Sequence, residues 1–336
     1  MSDSEVITCS NPDCRVGDTN KCVEGFELTE CTYYGKAAVA YEEVELDEEQ
    51  SDTSTIALPI ASKLSISAAS QLLRQGECSV IAIIGPHDAG KTSLIASMYD
   101  LFQEGAVNGV KFASSSTLHA FEQACHDARA ASQRAIAHSE RTPHGNVEFY
   151  HIDVRGGSAS DGMTLVLGDR SGETYKEAVN NISAAHDFCE VTRADIITIL
   201  VDGERLLESA ERHNVRQDIE LIVQALVETK VAIRKPKIAL VLTKIDSVIA
   251  SENKERVERD FNILLEKLIT NFDNHFSCIE PFKVSASPKH DGIKRGTGLS
   301  ELLDYWLCQR EHDWPVCTNL DYTSARMISR LTVLED

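Results

Sequence analysis

The sequence predicts an α/β fold with a doubly wound, mostly parallel sheet and one antiparallel hairpin strand. Short apolar runs at residues 80–84, 194–202 and 237–242 alternate with amphipathic stretches of helical length. Two further strand-like runs, 147–154 and 163–168, flank a turn rich in Gly and Ser and predict the hairpin. An open sheet of this kind binds its ligand at the carboxyl ends of the strands.

Composition limits the classes of protein to consider. The 336 residues suit one large domain with an appendage, or two domains, and the hydrophobic content of 42% is ordinary for a soluble protein. The formal net charge of −20 argues against general binding to a nucleic-acid backbone. The first residues do not resemble a signal peptide, and no apolar run approaches membrane-spanning length. We therefore expect a cytoplasmic protein with no membrane association.

Four of the ten cysteines, Cys9, Cys14, Cys22 and Cys31, lie in a polar, turn-rich stretch. Residues 1–36 cannot build a core alone, and four thiolates on one Zn²⁺ would supply the missing folding energy. The spacing is wider than in the usual C-x-x-C pairs, so a reduced tail and a redox role stay open. The other six cysteines are scattered and are interpreted as small buried residues.

The segments that flank the main domain are assigned by composition. Residues 37–65 contain an acidic run and are interpreted as a solvated linker. The alternative is that this run docks on a basic partner or masks the ligand site. A short helix at 66–75 opens the main domain, 66–311, and the tail, 312–336, carries no readable chemistry.

A phosphate-binding loop follows the first buried strand. The pattern G-x-x-x-x-G-K-[ST] lies between the strand 80–84 and a helix at 93–103. Its backbone N–H groups would bind phosphate oxygens, Lys91 would add positive charge, and Thr92 would place a hydroxyl on Mg²⁺. The fold is therefore predicted to be that of a P-loop NTPase. The expected nucleotide contacts of this loop are Gly85, His87, Asp88, Ala89, Gly90, Lys91, Thr92 and Ser93.

A long helix is predicted to begin at Phe112 and to run to about residue 138. Thr117, near its start, is a candidate sensor of the γ-phosphate through Mg²⁺. The simpler alternative is that Ser115 or Ser116 caps the helix.

The hairpin delivers a D-x-x-G signature, Asp169 to Gly172. Asp169 would hold Mg²⁺ through water, and the Gly172 N–H would contact the γ-phosphate. Arg170 could neutralise transition-state charge in cis, although an ordinary exposed arginine is the plainer interpretation. Glu173 stands where small switch GTPases carry the glutamine that orients the attacking water.

The base-recognition signature is Thr243-Lys244-Ile245-Asp246, of the form [NT]-K-x-D. Asp246 would accept hydrogen bonds from guanine, Lys244 would cover the base, and Thr243 would tie the loop back towards the phosphate loop. Adenine lacks the matching donors, so the alternative interpretation, an ATPase, requires that this motif occurs by coincidence. Ser285 and Ala286 follow a last strand at 279–284, and Ala286 would offer its N–H to the base. Helices at 175–191, 206–230, 253–271 and 298–309 complete the prediction.

These four motifs, in this order, resemble the translation-factor-like (TRAFAC) class of GTPases over residues 80–309. The long insert before Asp169 and the stretch that begins at Phe112 resemble the double-GTPase group of bacterial conflict systems, whose members often carry a cysteine-rich zinc segment in front. The resemblance implies a bacterial GTP-hydrolysing switch that uses GTP/GDP, Mg²⁺ and Zn²⁺. It also implies protein partners from the same system and a role in anti-phage defence. Glu173 leaves open a scaffold that binds nucleotide with little hydrolysis.

Overall fold

The fold is described from a computed structural model that covers residues 61–74, 76–133, 147–232, 234–290 and 292–308. The chain divides into two compact units, 1–57 and 58–336, and all these residues belong to the second unit. The predicted zinc segment with Cys9, Cys14, Cys22 and Cys31, most of the acidic linker and the tail lie outside the described residues. Within the described part of the chain, no helix is both long enough and apolar enough to cross a membrane.

The core of the domain is a sheet to which the described residues contribute seven strands. They are β1 (Cys78–Ile84), β2 (Lys111–Ser114), β3 (Val147–Gly156), β4 (Ala159–Arg170), β5 (Ile196–Asp202), β6 (Lys237–Thr243) and β7 (Ile279–Lys283). Their order in the sheet is β2-β3-β4-β1-β5-β6-β7. β3 runs antiparallel to both of its neighbours, and the other neighbouring pairs are parallel, as the predicted hairpin requires.

Helices cover both faces of the sheet, because successive side chains of its buried strands point to opposite sides. The helices are α1 (Ile66–Leu72), α2 (Lys91–Gln103), α3 (Leu118–Gln133), α4 (Gly172–Asn180), α5 (Cys189–Thr192), α6 (Gly203–Leu207), α7 (Arg212–Glu228), α8 (Ile245–Ala250), α9 (Lys254–Phe272) and α10 (Leu299–Leu307). Ile81 and Ile83 of β1 join the apolar cluster beneath α2, α3 and α10, whereas Ala82 and Ile84 join the cluster beneath α4, α7 and α9.

The long helix predicted from Phe112 begins only at Leu118, and the residues before it form the edge strand β2. Phe112 pairs with Val154 of β3. A run of serines follows, and serine side chains compete with helical backbone hydrogen bonds. The Ser115 hydroxyl accepts a hydrogen bond from the Thr117 N–H at 3.0 Å, so the serine side chain forms a turn where a helix was expected.

Two predicted helices are interrupted. The helix expected over residues 175–191 is divided into α4, a 3-10 helix at Ile182–Asp187 and α5. Asn181 has an extended backbone, and its side chain accepts from the Ser183 N–H at 3.2 Å, which restarts the chain as a capped turn. The helix expected over 206–230 is α6 followed by α7. The hairpin turn is also tighter than expected, because Gly156 pairs with Ala159.

The scattered cysteines are not uniformly buried, contrary to the prediction. Of the described ones, Cys125 is buried, Cys308 is exposed, and Cys78, Cys189 and Cys278 are intermediate.

The residues just before α1 are attached to the sheet, although they were predicted to belong to a solvated linker. Leu64 forms a β-bridge with Phe149, with N···O distances of 2.8 and 2.9 Å in the two directions. The Ala61 carbonyl accepts from the Ala120 N–H at 3.0 Å. We call residues 61–65 the strap. It extends the sheet alongside β3, at the end where β2 does not reach.

A buried ion pair joins the end of β4 to α5. Arg170 donates to both carboxylate oxygens of Glu190, at 2.7 and 2.8 Å, and to the Asp187 carbonyl at 2.9 Å. Arg170 is 2% exposed and Glu190 1% exposed. Tyr175 donates a further hydrogen bond to Glu190 at 3.0 Å. The pair therefore fixes the segment that follows the D-x-x-G signature.

We predict that Arg170→Met lowers the free energy of unfolding by about 3–5 kcal/mol, because it leaves the Glu190 carboxylate buried without its cation. Chemical denaturation measures this loss. The exposed Arg259, changed to Met, is the control. The double variant Arg170→Met/Glu190→Leu is expected to lose less stability than the sum of the two single variants. A single variant as stable as wild type would contradict the structural role of the pair.

Candidate functional site

The predicted signatures converge at the carboxyl edge of the sheet. β1 and β4 are parallel neighbours, with Ile83 opposite Asp169, so the phosphate-binding loop and the D-x-x-G segment leave the sheet side by side. β5 and β6 are also parallel neighbours, and they end together at Asp202 and Thr243. Motifs that are distant in sequence therefore share one edge of the domain.

The phosphate-binding loop has the backbone that its pattern predicts. Gly90 has φ +90° and directly precedes α2, and Asp88 also lies in the left-handed region, with φ +62°. Lys91 is 8% exposed and donates to the carbonyls of Gly85 and Pro86 at 2.9 and 3.0 Å. Burial lowers the pKa of Lys91 to about 8, against the opposite effect of Asp169 and Asp88. Ala89 is fully buried, whereas Thr92 and Ser93 are half-buried at the first turn of α2.

Asp88 has a partner within the loop. Its carboxylate lies 2.8 Å from Nδ1 of His87, and its side chain is 67% exposed. Asp88 is therefore paired with its neighbour in the chain and open to solvent, which screens its charge.

The D-x-x-G segment lies directly against the phosphate-binding loop. A methyl group added at Gly172 would overlap with the His87 nitrogen and with the Pro86 carbonyl group. Only glycine therefore permits this approach. Glu173, the next residue, is exposed in the first turn of α4.

Asp169 is fully buried at the junction of these two segments. One oxygen, Oδ2, accepts from Lys63 Nζ at 3.3 Å. The other, Oδ1, is buried and has no hydrogen-bond partner among the described residues. A buried, unpartnered carboxylate oxygen is costly unless a cation completes it. This oxygen fits the predicted Mg²⁺ site, since Mg²⁺ prefers oxygen ligands, and Thr92 at the first turn of α2 is the other expected ligand.

The candidate sensor Thr117 is turned towards the sheet. Its side chain is fully buried, and Oγ1 accepts from the His151 N–H at 3.0 Å. The neighbouring Ser116 bonds to Nδ1 of His151 through its N–H at 2.9 Å. In this arrangement Thr117 anchors the start of α3 to β3, and the structure does not bring it together with Asp169. Contact with Mg²⁺ would require this segment to rearrange.

The base-recognition loop is tied together by the Asp246 carboxylate. Its Oδ1 accepts from the Ser285 hydroxyl at 2.7 Å, and its Oδ2 accepts from the Lys289 N–H at 2.8 Å. The Ala286 carbonyl accepts from the Ser97 hydroxyl of α2 at 2.7 Å, which connects this loop to the helix of the phosphate site. The Thr243 hydroxyl reaches the Val201 carbonyl of β5 at 3.3 Å, so it ties the loop to the neighbouring strand, where a tie to the phosphate-binding loop was predicted.

Lys244 belongs to a network of charges that its motif alone does not predict. It has φ +53°, and its ammonium lies 2.9 Å from Asp202 and 3.0 Å from Glu204. Lys289 binds the same Glu204 at 2.8 Å. Burial acts to raise the pKa of Glu204, but hydrogen bonds from Lys289 and Lys244 lower it to about 2. Asp202 was a detectable candidate, because it ends a buried strand, whereas Lys289 lies in a loop without a pattern.

Arg170 does not accompany Asp169 into the site. The two residues are adjacent on β4 and point to opposite faces, and the Arg170 guanidinium is held by Glu190. The prediction of a charge-stabilising arginine is therefore not supported by this arrangement. Among the described residues, the Asp169 carboxylate forms an ion pair with Lys63 at 3.3 Å, a residue that was predicted to belong to the linker. No group of metal-ligating side chains in the described ranges has the composition of a zinc site.

Two solved structures show a distant similarity to this chain. The chain is 17% identical to the Saccharomyces cerevisiae Ski7 GTPase-like domain bound to GDP and inorganic phosphate, with a TM-score of 0.40. The aligned region covers 76% of the present chain and 54% of the Ski7 chain. It is 14% identical to a chain of the signal recognition particle receptor SRb-GTP/SRX complex from Chaetomium thermophilum, with a TM-score of 0.36. The aligned region covers 68% of the present chain and 95% of the receptor chain. The present chain thus spans about half the length of the Ski7 chain.

Comparison with protein families is more informative. No curated protein matches the sequence significantly. The profile of the Double-GTPase 2 family matches residues 79–307, which is more than half of the chain and runs from β1 to the end of α10. The protein therefore belongs to the Double-GTPase 2 family of P-loop GTPases.

Proposed function

We propose that this protein binds GTP with Mg²⁺, hydrolyses it to GDP and phosphate, and works as a molecular switch. The observation that supports this most is the convergence of the phosphate-binding loop, Asp169, Gly172 and Asp246 at one edge of the sheet. The proposed contacts beyond these are Gly85, the loop residues from His87 to Ser93, Thr243, Lys244, Ser285 and Ala286.

Each side of the proposed site has a distinct task. Backbone N–H groups of the phosphate-binding loop bind the β- and γ-phosphates, and Lys91 neutralises part of their charge. The Asp246 carboxylate has two oxygens with several lone pairs, so it accepts from guanine while it retains Ser285 and Lys289. Bound Mg²⁺ would neutralise charge on the phosphate oxygens, held through Thr92 and Asp169.

Gly172 makes the site sensitive to hydrolysis. Its backbone lies against the phosphate-binding loop, so its N–H is suited to contact the γ-phosphate. When that phosphate leaves, the start of α4 loses one of its contacts, and the Gly172–Glu173 end of this helix can change position while the buried Arg170–Glu190 pair holds the rest. This is the proposed basis of switching.

A second candidate function is a nucleotide-binding scaffold with little intrinsic hydrolysis. Glu173 favours it, because an exposed carboxylate beside a γ-phosphate is repelled and cannot orient water as an amide does. Arg170 favours it too, since its guanidinium is occupied by Glu190. A protein partner would then supply the missing group.

The setting is also proposed, and it rests on the resemblance described above. We propose that the protein is bacterial and cytoplasmic and that it acts with protein partners in a conflict or anti-phage defence system. A zinc site at Cys9, Cys14, Cys22 and Cys31 belongs to the same proposal, and metal analysis of the purified chain tests it. The net charge of −20 continues to disfavour nucleic acid as the partner.

Titration of the purified chain with GTP, GDP and ATP in the presence of Mg²⁺ tests the proposed function, with phosphate release followed in the same samples. We expect guanine nucleotides to bind at least about a hundredfold more tightly than ATP. Lys91→Ala should weaken GTP binding about 10–100-fold, because it removes a charged donor to phosphate. The exposed Lys254, changed to Ala, is the control. Tight guanine binding without turnover would favour the scaffold, and equal binding of ATP would contradict the assignment of the site to guanine nucleotides.

Asp246→Asn should transfer preference from GTP to xanthosine triphosphate. The asparagine amide donates where guanine also donates, whereas the xanthine carbonyl accepts. We expect GTP affinity to fall by about a hundredfold and xanthosine triphosphate to bind better than GTP. Competition against a fluorescent nucleotide measures both. Asp273→Asn, at an exposed position, is the control. Thermal unfolding verifies that Asp246→Asn is folded, because the single acceptor oxygen of asparagine cannot replace both carboxylate oxygens that accept from Ser285 and Lys289. Unchanged GTP preference would mean that Asp246 does not read the base.

A further inference from the structure

The register of the hairpin creates a charge conflict beside the nucleotide site. Glu148 of β3 pairs directly with Asp169 of β4. Side chains opposite each other in an antiparallel pair are close neighbours on one face, and like charges at such positions repel. Asp169 is fully buried, so solvent screens this repulsion poorly. A positive charge is needed on this face of the hairpin.

Lys63 of the strap supplies that charge. Its ammonium lies 3.3 Å from Asp169 Oδ2 and 3.4 Å from Glu148 Oε2, and 5.3 Å from the centre of the Tyr150 ring. Its side chain is only 24% exposed. Burial opposes the charged form, but Asp169, Tyr150 and Glu148 together raise the pKa of Lys63 above its ordinary value. The contact therefore joins two carboxylates of the hairpin to the strap.

The same Asp169 has one oxygen left for a second cation. Lys63 occupies Oδ2, whereas Oδ1 is buried and unpartnered among the described residues, and the proposed Mg²⁺ site requires this side chain. Two cations on one carboxylate repel each other, and burial makes the repulsion stronger than it would be in water. Occupation by one must weaken the hold of the other.

We propose that Lys63 is a resident counter-ion of the nucleotide site, which competes with Mg²⁺ for Asp169 and couples Mg²⁺ binding to the attachment of the strap. The inference rests on the proposed function and adds a form of regulation to it. Linkage makes the coupling reciprocal: if Lys63 lowers the affinity for Mg²⁺, then Mg²⁺ lowers the stability of the strap on β3 by the same factor. The bridge between Leu64 and Phe149 is the part of the strap that would loosen first, since it follows Lys63 directly.

The first test measures the Mg²⁺ affinity of the full chain loaded with a fluorescent GDP analogue. Lys63→Met removes the competing charge but keeps the length of the side chain, and it should tighten Mg²⁺ binding about tenfold. Lys63→Arg keeps the charge and should stay close to wild type. Lys267→Met is the matched control, because Lys267 also pairs with a carboxylate, Glu220, at 3.0 Å, on a different helix. Weaker or unchanged Mg²⁺ binding by Lys63→Met would overturn the proposal.

The second test is decided by the wild-type chain. Hydrogen exchange of the wild-type chain with GDP is compared with and without Mg²⁺ in peptides that cover residues 61–66 and 147–152. We expect Mg²⁺ to accelerate exchange of the Leu64 amide, which donates to the Phe149 carbonyl at 2.8 Å. In Lys63→Met, exchange should be fast under both conditions. Exchange of this amide that does not respond to Mg²⁺ in the wild type would overturn the coupling, even if Lys63→Met proved unable to fold.

Failure of the proposed function can be distinguished from failure of the role of Lys63. If the wild-type chain binds neither GTP nor GDP, the proposed function is wrong, and the inference falls with it. If guanine nucleotide and Mg²⁺ bind but Lys63→Met has the Mg²⁺ affinity of wild type, only the role of Lys63 is wrong.

Discussion

The site depends on the parallel pairing of β1 and β4. Their register sets Ile83 opposite Asp169, so the loop after one strand meets the segment after the other. β1 is central, and its even and odd residues contribute to different apolar clusters on the two faces. The apolar core fixes the register of β1, because a slip of one residue would exchange the side chains on its two faces. The position at which the phosphate-binding loop leaves the sheet is therefore determined by the packing of the core.

Buried charge is arranged around this junction in two separate systems. On one face of β4, Asp169 meets Lys63 and lies near Lys91; on the other, Arg170 meets Glu190. The second system is closed, because Glu190 and Arg170 satisfy each other and Tyr175 adds a further donor. The first is incomplete, because one oxygen of Asp169 is unpartnered among the described residues. A closed pair holds structure, whereas an incomplete one is suited to bind a ligand.

The motifs and the strands that carry them could be predicted from the sequence, since both are local patterns. The alternation of strand side chains even contained the signal that Arg170 would face away from Asp169. The role of Lys63 could not be predicted, because it depends on contacts between distant parts of the sequence. The neighbouring Leu64 forms a bridge with Phe149, 85 positions later (149 − 64), and Glu148 lies opposite Asp169 on the adjacent strand. The edge strand at Lys111–Ser114 was missed because four residues carry no clear period.

The hydrogen bond from Ser97 to the Ala286 carbonyl has a consequence for how a nucleotide is held. It joins the helix that begins at the phosphate-binding loop to the loop proposed to read the base, so the two proposed half-sites are directly connected. A nucleoside and a phosphate chain that are covalently connected would then behave as the two arms of a chelate. Once either arm is bound, the other is held at high effective concentration over its own half-site. A complete nucleotide bound as proposed would therefore stay much longer than either fragment, with modest contacts at each end.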